Sequence, residues 1–355
     1  MMNTTAESKQ HNKQIAIWLL VGVGMIMIQV LLGGITRLTE SGLSITEWKP
    51  ITGMLPPLND AAWQIEFDKY RGTDQFKFVH QHFSLKEFKF IFFWEWFHRV
   101  WARLMGLVFL IGFVYFLVQK KFNKKMVMPM ILLFVLGALQ GAIGWFMVKS
   151  GLVPEKYFVG HIELTTHFIA ALILLSYTFW FALQVLPSMN AKVYNRKRFN
   201  LLLCILMLLL LQLVFGGFMA GLHAAATAPT WPSINGNFAP AQMNELSPWM
   251  NNFINNNLMI HFIHRMTGYL LFVLIFIFFF QSKAIVENSF YNFLRKSAAI
   301  LVSLQVVLGI CTLLNATNKN TFVLLGVAHQ FTAMLLVICL VNLLYLTRRK
   351  QPALA

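Results

Sequence analysis

Eight apolar runs divide this chain almost from end to end: residues 15–35, 91–117, 127–148, 161–186, 199–220, 258–280, 297–315 and 322–346. A helix needs about 20 residues to cross the ~30 Å hydrocarbon core of a bilayer, and each run is of that order. In hydrocarbon every backbone N–H and C=O must bond within the protein, which leaves helices or a closed barrel. Barrel strands would read as roughly ten-residue stretches of alternating polarity, whereas these runs are continuous. The expected fold is all-α and integral to the membrane, with eight transmembrane helices.

Charge agrees with that reading. Only 12% of the 355 residues are charged, against about 25% in a soluble domain. A net charge of +16 could suit nucleic acid, but the basic residues sit in short segments between alternate runs. They are Lys9 and Lys13; Lys120, Lys121, Lys124 and Lys125; Lys192, Arg196, Lys197 and Arg198; Lys283, Arg295 and Lys296; and Arg348, Arg349 and Lys350. This is the positive-inside pattern, and it predicts cytoplasmic termini, a lipid environment and no nucleic-acid partner. The short polar N-terminus lacks the features of a transit peptide and predicts a retained first span in a bacterial cytoplasmic (inner) membrane. Cys204, Cys311 and Cys339 are too widely spaced for a metal motif and read as buried small hydrophobes. Two long outer loops, 36–90 and 221–257, carry "WKPITGMLPPL" and "PTWPSINGNFAP", whose prolines and tryptophans suit ordered interfacial caps.

The first four spans recur as the last four. "QVLLGG" (29–34) pairs with "QLVFGG" (212–217), and "FHRVWARLMG" (97–106) with "IHRMTGYLLF" (263–272). "LQGAIG" (139–144) pairs with "LQVVLG" (304–309), and "HFIAALILL" (167–175) with "HQFTAMLLV" (329–337). The repeat predicts two pseudo-symmetric four-helix bundles, residues 1–190 and 191–355. Odd-numbered spans carry Gln-x-x-x-Gly: Gln29/Gly33, Gln140/Gly144, Gln212/Gly216 and Gln305/Gly309. The glycine flattens one helix face, which serves close helix packing or a pocket for a planar group equally well.

Even-numbered spans each carry one histidine at a matching place: His98, His167, His264 and His329. Each lies about two turns from the outer end of its run, and ionisable groups at such depth mark function by default. A bare ion would gather its ligands into one cluster. Two histidines per half, on different helices, suit a heme held from both faces, though packing or a proton path stays open. Arg99 and Arg265 each follow a histidine and could neutralise heme propionates or snorkel to the interface. Glu95 corresponds to His261 in the repeat, so only the first half places a carboxylate one turn from its histidine. It is either an ion-pair partner of Arg99 or an acid/base and charge-stabilising group.

From about Ile15 to Leu346 the chain resembles the heme A synthase family. The resemblance rests on "GGITRLTESGLSITEWKPITGMLPPL" (33–58), "EWFHRVWARLMG" (95–106) and "GAIGWFMVKSGL" (141–152), with "TWPSINGNFAP" (230–240), "HRMTGY" (264–269) and "AHQFTA" (328–333) in the second half. It implies that His98 and His167 ligate the substrate, heme O, in a catalytic first half, and that His264 and His329 ligate a permanent heme B. It also implies that Glu95 is the essential carboxylate and that heme O becomes heme A for cytochrome oxidase. One bacterial branch carries a cysteine pair in an outer loop; this chain does not. The expected oxygen source is water, and the expected partners are heme O synthase and an electron acceptor. A homo-oligomer is compatible with the sequence. The alternative function is a diheme b-type electron-transfer cytochrome, which accounts for four histidines but not for Glu95.

Overall fold

The computed structural model describes residues 2–47, 52–186, 193–283 and 288–348, with residues 2–6 by backbone alone. The helices are α1 (Met2–Leu38), α2 (Asp60–Arg71), α3 (Asp74–Phe78), α4 (Leu85–Val118), α5 (Lys124–Gly151) and α6 (His161–Val185). They continue as α7 (Arg196–Gly221), α8 (Asn252–Asn255), α9 (Asn257–Gln281), α10 (Ser289–Leu314) and α11 (Lys319–Thr347). Among the described residues eight helices are long and apolar enough to span a membrane, namely α1, α4, α5, α6, α7, α9, α10 and α11. The predicted Lys192, Arg349 and Lys350, the 190/191 boundary and residues 48–51 of the first outer loop lie outside the described residues.

Helices run past the apolar stretches that predict them. α1 starts at Met2, α4 at Leu85 and α10 at Ser289, several residues before their apolar runs. Apolar sequence marks where lipid begins, whereas a helix ends where its first N–H groups find other partners. Those partners are mostly asparagines. The side chains of Asn123, Asn195, Asn256, Asn288 and Asn318 accept from the first turns of α5, α7, α9, α10 and α11. Ser84 and Glu87 form a capping box at α4.

α1, α6, α7 and α11 pack on one another in the middle of the molecule. Leu175, Leu202, Leu340 and Leu343 are fully buried there. Since lipid tails match leucine in polarity, close packing and hydrogen bonds hold such helices together. Gln330 of α11 donates to the Val30 carbonyl of α1 at 2.7 Å, and the Tyr345 hydroxyl donates to the Leu183 carbonyl at 2.7 Å. α4 and α5 flank α1 and α6, and α9 and α10 flank α7 and α11. α9 also packs along α10, while α4 meets α5 through Phe109 and Phe113 on Phe134. Cys339 is buried and Cys311 half-buried, but Cys204 is exposed on its helix, contrary to expectation. An outward face of a membrane helix meets lipid, where an apolar thiol is equally at home.

Both long loops carry helical turns where described. The first carries α2 and α3 over an aromatic cluster of Phe67, Tyr70, Phe88 and Phe92. The second is built of short 3-10 turns and α8.

Candidate functional site

The Gln-x-x-x-Gly motifs and the four histidines form one device used four times. On α1, Gln29 and Gly33 lie one turn apart and face His98 of α4. Gln29 Nε2 is 3.0 Å from His98 Nε2, and a Cβ added at Gly33 would stand 3.3 Å from the same atom. Gln140 and Gly144 of α5 face His167 of α6. Here the amide nitrogen is 3.3 Å from His167 Nδ1 and donates to the His167 carbonyl at 3.0 Å, and a Cβ at Gly144 would lie 2.7 Å from His167 Cε1.

The second repeat does the same. Gln212 Nε2 of α7 is 3.4 Å from His264 Nε2 of α9, and a Cβ at Gly216 would be 3.2 Å from His264 Cε1. Gln305 Nε2 of α10 is 3.1 Å from His329 Nε2 of α11, with 3.0 Å from Gly309 to His329 Cε1. The glycines therefore make room for imidazoles rather than for helix backbones. Each amide lies against a ring nitrogen and helps hold that ring in place.

The histidines act in pairs. His98 lies within electrostatic reach of His167, and His264 within reach of His329. Among the described residues no group of three or more His, Cys, Asp or Glu side chains gathers as a bare ion would need. Several atoms around the rings are buried without a hydrogen-bond partner: Gln29, Gln140 and Gln305 Oε1, and His264 and His329 Nδ1. Buried polar atoms are nearly always satisfied, so these mark places built around a further group. Two imidazoles per repeat, each cradled by a glycine that a Cβ would fill, fit a heme with two axial histidines. Gln212 differs because its Oε1 accepts from the Thr267 hydroxyl.

Glu95 is 2% exposed, one turn outward from His98. Its Oε2 accepts from Ser44 Oγ at 2.7 Å and from the Ile45 N–H at 2.8 Å, and its Oε1 pairs with Arg99 Nη2 at 2.5 Å. Arg99 also donates to the Ile45 carbonyl at 3.3 Å. The carboxylate is thus fixed on both oxygens and ties the first outer loop down over α4. Ser44 and Ile45 were not singled out by sequence; they lie some fifty residues from Glu95 in an aperiodic loop.

The second repeat fastens its loop differently. The Arg265 guanidinium donates to the carbonyls of Thr230 (2.6 Å), Ser233 (3.1 Å), Pro232 (3.2 Å) and Ala228 (3.5 Å). Four backbone acceptors hold a group expected to meet a propionate, leaving only its Nε without a partner. His261, at the position of Glu95, is 1% exposed, and neither of its ring nitrogens has a partner among the described residues. His223 lies in the second loop, its ring tilted against Phe158 at 4.4 Å between ring centroids. Burial, with Arg37 nearby, lowers its pKa to about 4, so it is neutral near pH 7.

A polar cluster that sequence reasoning missed links the repeats on the side of the two long loops. The Tyr70 hydroxyl lies 2.7 Å from His80 Nδ1, His80 Nε2 is 3.2 Å from Glu40, and Lys319 at the start of α11 reaches Glu40 at 3.0 Å. The His80 contact, followed by Lys319, lowers the Glu40 pKa to about 2. An apolar groove of about 370 Å³ between α6, α7 and α11, lined by Leu172, Trp180 and Leu209, lies apart from these polar residues.

Residues 16–341 match the family of the cytochrome oxidase assembly protein. Among curated relatives, the heme A synthase of Nitrosospira multiformis is 39% identical over 327 residues, 91% of this chain and 90% of its own. That of Flavobacterium johnsoniae is 38% identical over 334 residues, covering 93% and 96%. That of Paracoccus denitrificans is 40% identical over 330 residues, covering 91% and 84%.

Proposed function

This chain belongs to the cytochrome oxidase assembly protein family, and on that footing we propose that it is the oxidoreductase that converts heme O to heme A. One observation carries the proposal: two matched histidine cradles in each repeat, with a fixed carboxylate beside only the first pair. An electron-transfer cytochrome would need the cradles but not that asymmetry.

In this reading residues 1–190 and 191–355 are two four-helix halves with different tasks. His264 and His329 hold heme B, which when bound supplies one-electron transfer. His98 and His167 hold the substrate, heme O. Oxidation of its C8 methyl to hydroxymethyl adds the oxygen of water and releases two electrons and two protons. A second two-electron, two-proton step yields the formyl group. The chain's own contribution is positional and electrostatic. Gln29 and Gln140 keep the substrate-binding imidazoles in their planes, and Gly33 and Gly144 leave space for those rings. Glu95, held by Ser44, Ile45 and Arg99, presents a fixed negative charge. It offsets positive character developing at the methyl carbon and can accept a proton as water adds.

The electrons leave to a membrane acceptor, and heme O, being poorly soluble, arrives by handover from heme O synthase. Basic residues at Lys120, Lys121, Lys124 and Lys125 support cytoplasmic termini in a bacterial inner membrane.

The test is Glu95→Gln, which keeps the hydrogen-bonding shape and removes the charge. The protein is co-expressed with heme O synthase and its pigments are extracted. The expected result is normal heme B with heme O or the alcohol in place of heme A. A normal heme A yield would remove Glu95 from the reaction.

A further inference from the structure

We propose that His261 is a propionate-binding residue for the heme of the second repeat, donating an imidazole N–H to one propionate carboxylate. The inference rests on the reading above that His264 and His329 hold a heme.

Three observations lead to it. His261 precedes His264 by three residues on α9, so the two share a helix face, with His261 one turn nearer the outer end. It is 1% exposed, and neither Nδ1 nor Nε2 has a partner among the described residues. An imidazole always carries at least one N–H donor, and a buried donor without an acceptor is rare in native proteins. Arg265, one turn inward, has only donors and cannot accept from the imidazole, and its terminal nitrogens take up the carbonyls of Ala228, Thr230, Pro232 and Ser233.

The first repeat shows what a completed version of this position looks like. Glu95 there has Ser44, Ile45 and Arg99 on its two oxygens. His261 has no such hydrogen bond among the described residues, which points to a partner supplied by what the pocket binds. A heme carries two carboxylates, and charge is driven away from the bilayer centre toward the outer, polar end of the bundle, where His261 stands. A carboxylate is the acceptor that an imidazole N–H bonds best.

The experiment uses the full-length protein purified with its heme and measures heme release to excess apomyoglobin for wild type, His261→Phe and His261→Gln. It is repeated after reconstitution with the dimethyl ester of heme B, which lacks the carboxylate charges. Removing a supporting contact of this kind changes affinity roughly tenfold or more. The expected result is about tenfold faster release from His261→Phe than from wild type, near-wild-type release from His261→Gln, and little difference among the three with the diester. The low-spin spectrum should persist throughout, showing that His264 and His329 still bind iron.

Equal release of native heme from wild type and His261→Phe, with His261→Gln also unchanged, overturns the inference alone. The same defect with heme and diester, or conversion to a high-spin form, also overturns it, because His261 would then support His264 rather than the propionate. Should His261→Phe fail to accumulate, the preference of His261→Gln for heme over the diester decides the matter. Absence of heme B from the wild-type protein overturns both this inference and the reading beneath it.

Discussion

The two repeats grip their histidines alike and close their outer ends differently. Gln29/Gly33 around His98 and Gln212/Gly216 around His264 are the same construction, as are Gln140/Gly144 around His167 and Gln305/Gly309 around His329. Above the cradles, the first repeat fastens its loop through a buried carboxylate, Glu95, to Ser44 and Ile45. The second uses a buried cation, Arg265, on four loop carbonyls, and leaves His261 unpaired where the carboxylate would be. The construction around the histidines is therefore separable from the one that closes the loops. On the proposed reading the duplicated part holds a heme, and the part that differs supplies the chemistry.

The sharpest way to break this comparison is Glu95→His, which gives the first repeat the residue of the second. Heme A formation should fall by roughly 10²- to 10⁴-fold, the contribution of a positioned acid/base group, while heme B content stays constant in extracted pigment. Retained turnover would mean that the difference at this position is incidental.

Next in size are the cradle glycines. A Cβ at Gly144 would approach His167 to 2.7 Å, one at Gly309 would reach His329 at 3.0 Å, and one at Gly33 would reach His98 at 3.3 Å. Gly144→Ala should displace its imidazole most and lower heme A yield. Gly309→Ala should lower heme B content, and Gly33→Ala should be the mildest of the three. Overpacking of this kind costs about 1–3 kcal/mol. Pigment stoichiometry of the purified variants checks the order.

A smaller effect is expected from Gln305→Leu. It keeps the volume but removes the amide from His329, and should weaken heme B retention about tenfold without altering the product bound in the first repeat. Gln212→Leu should add a second consequence, since Gln212 Oε1 also accepts from Thr267. Spectral titration of heme loss distinguishes the two.

The smallest effect concerns the cluster joining the repeats. Glu40 has its pKa lowered from 4.5 to about 2, first by His80 and then by Lys319. A carboxylate with a depressed pKa contributes stability that is fully present above its unfolded value and lost as pH falls through the folded one. The wild-type protein should thus lose thermal stability between about pH 4.5 and about pH 2 by more than Glu40→Gln does. Parallel pH profiles of melting temperature in detergent would reveal the difference.

The spans were legible because hydrocarbon imposes length and apolarity on every crossing segment. The helix ends were less so, since Asn288 and Asn318 cap α10 and α11 from polar sequence outside the apolar runs. The repeat made the histidines and the Gln-x-x-x-Gly faces visible, but not that each face receives the histidine of a neighbouring helix. That is a fact of packing between segments 24 to 69 residues apart. Least legible were contacts formed once only. Glu95 with Ser44 and Glu40 with Lys319 have no periodicity and no counterpart in the other repeat, and Arg265 takes four loop carbonyls where Arg99 takes one. Backbone acceptors leave no mark on side-chain identity, so the engagement of Arg265 could not have been read from its neighbours.

Division of labour between the repeats is the central claim, and pigment analysis of two parallel variants tests it most directly. His98→Ala and His264→Ala are each co-expressed with heme O synthase, purified, and their hemes identified by chromatography and mass spectrometry. His98→Ala should retain heme B and contain no heme A, while His264→Ala should lose heme B from the protein. Loss of heme B in His98→Ala with its retention in His264→Ala, or the same pigments in both variants, would contradict the account.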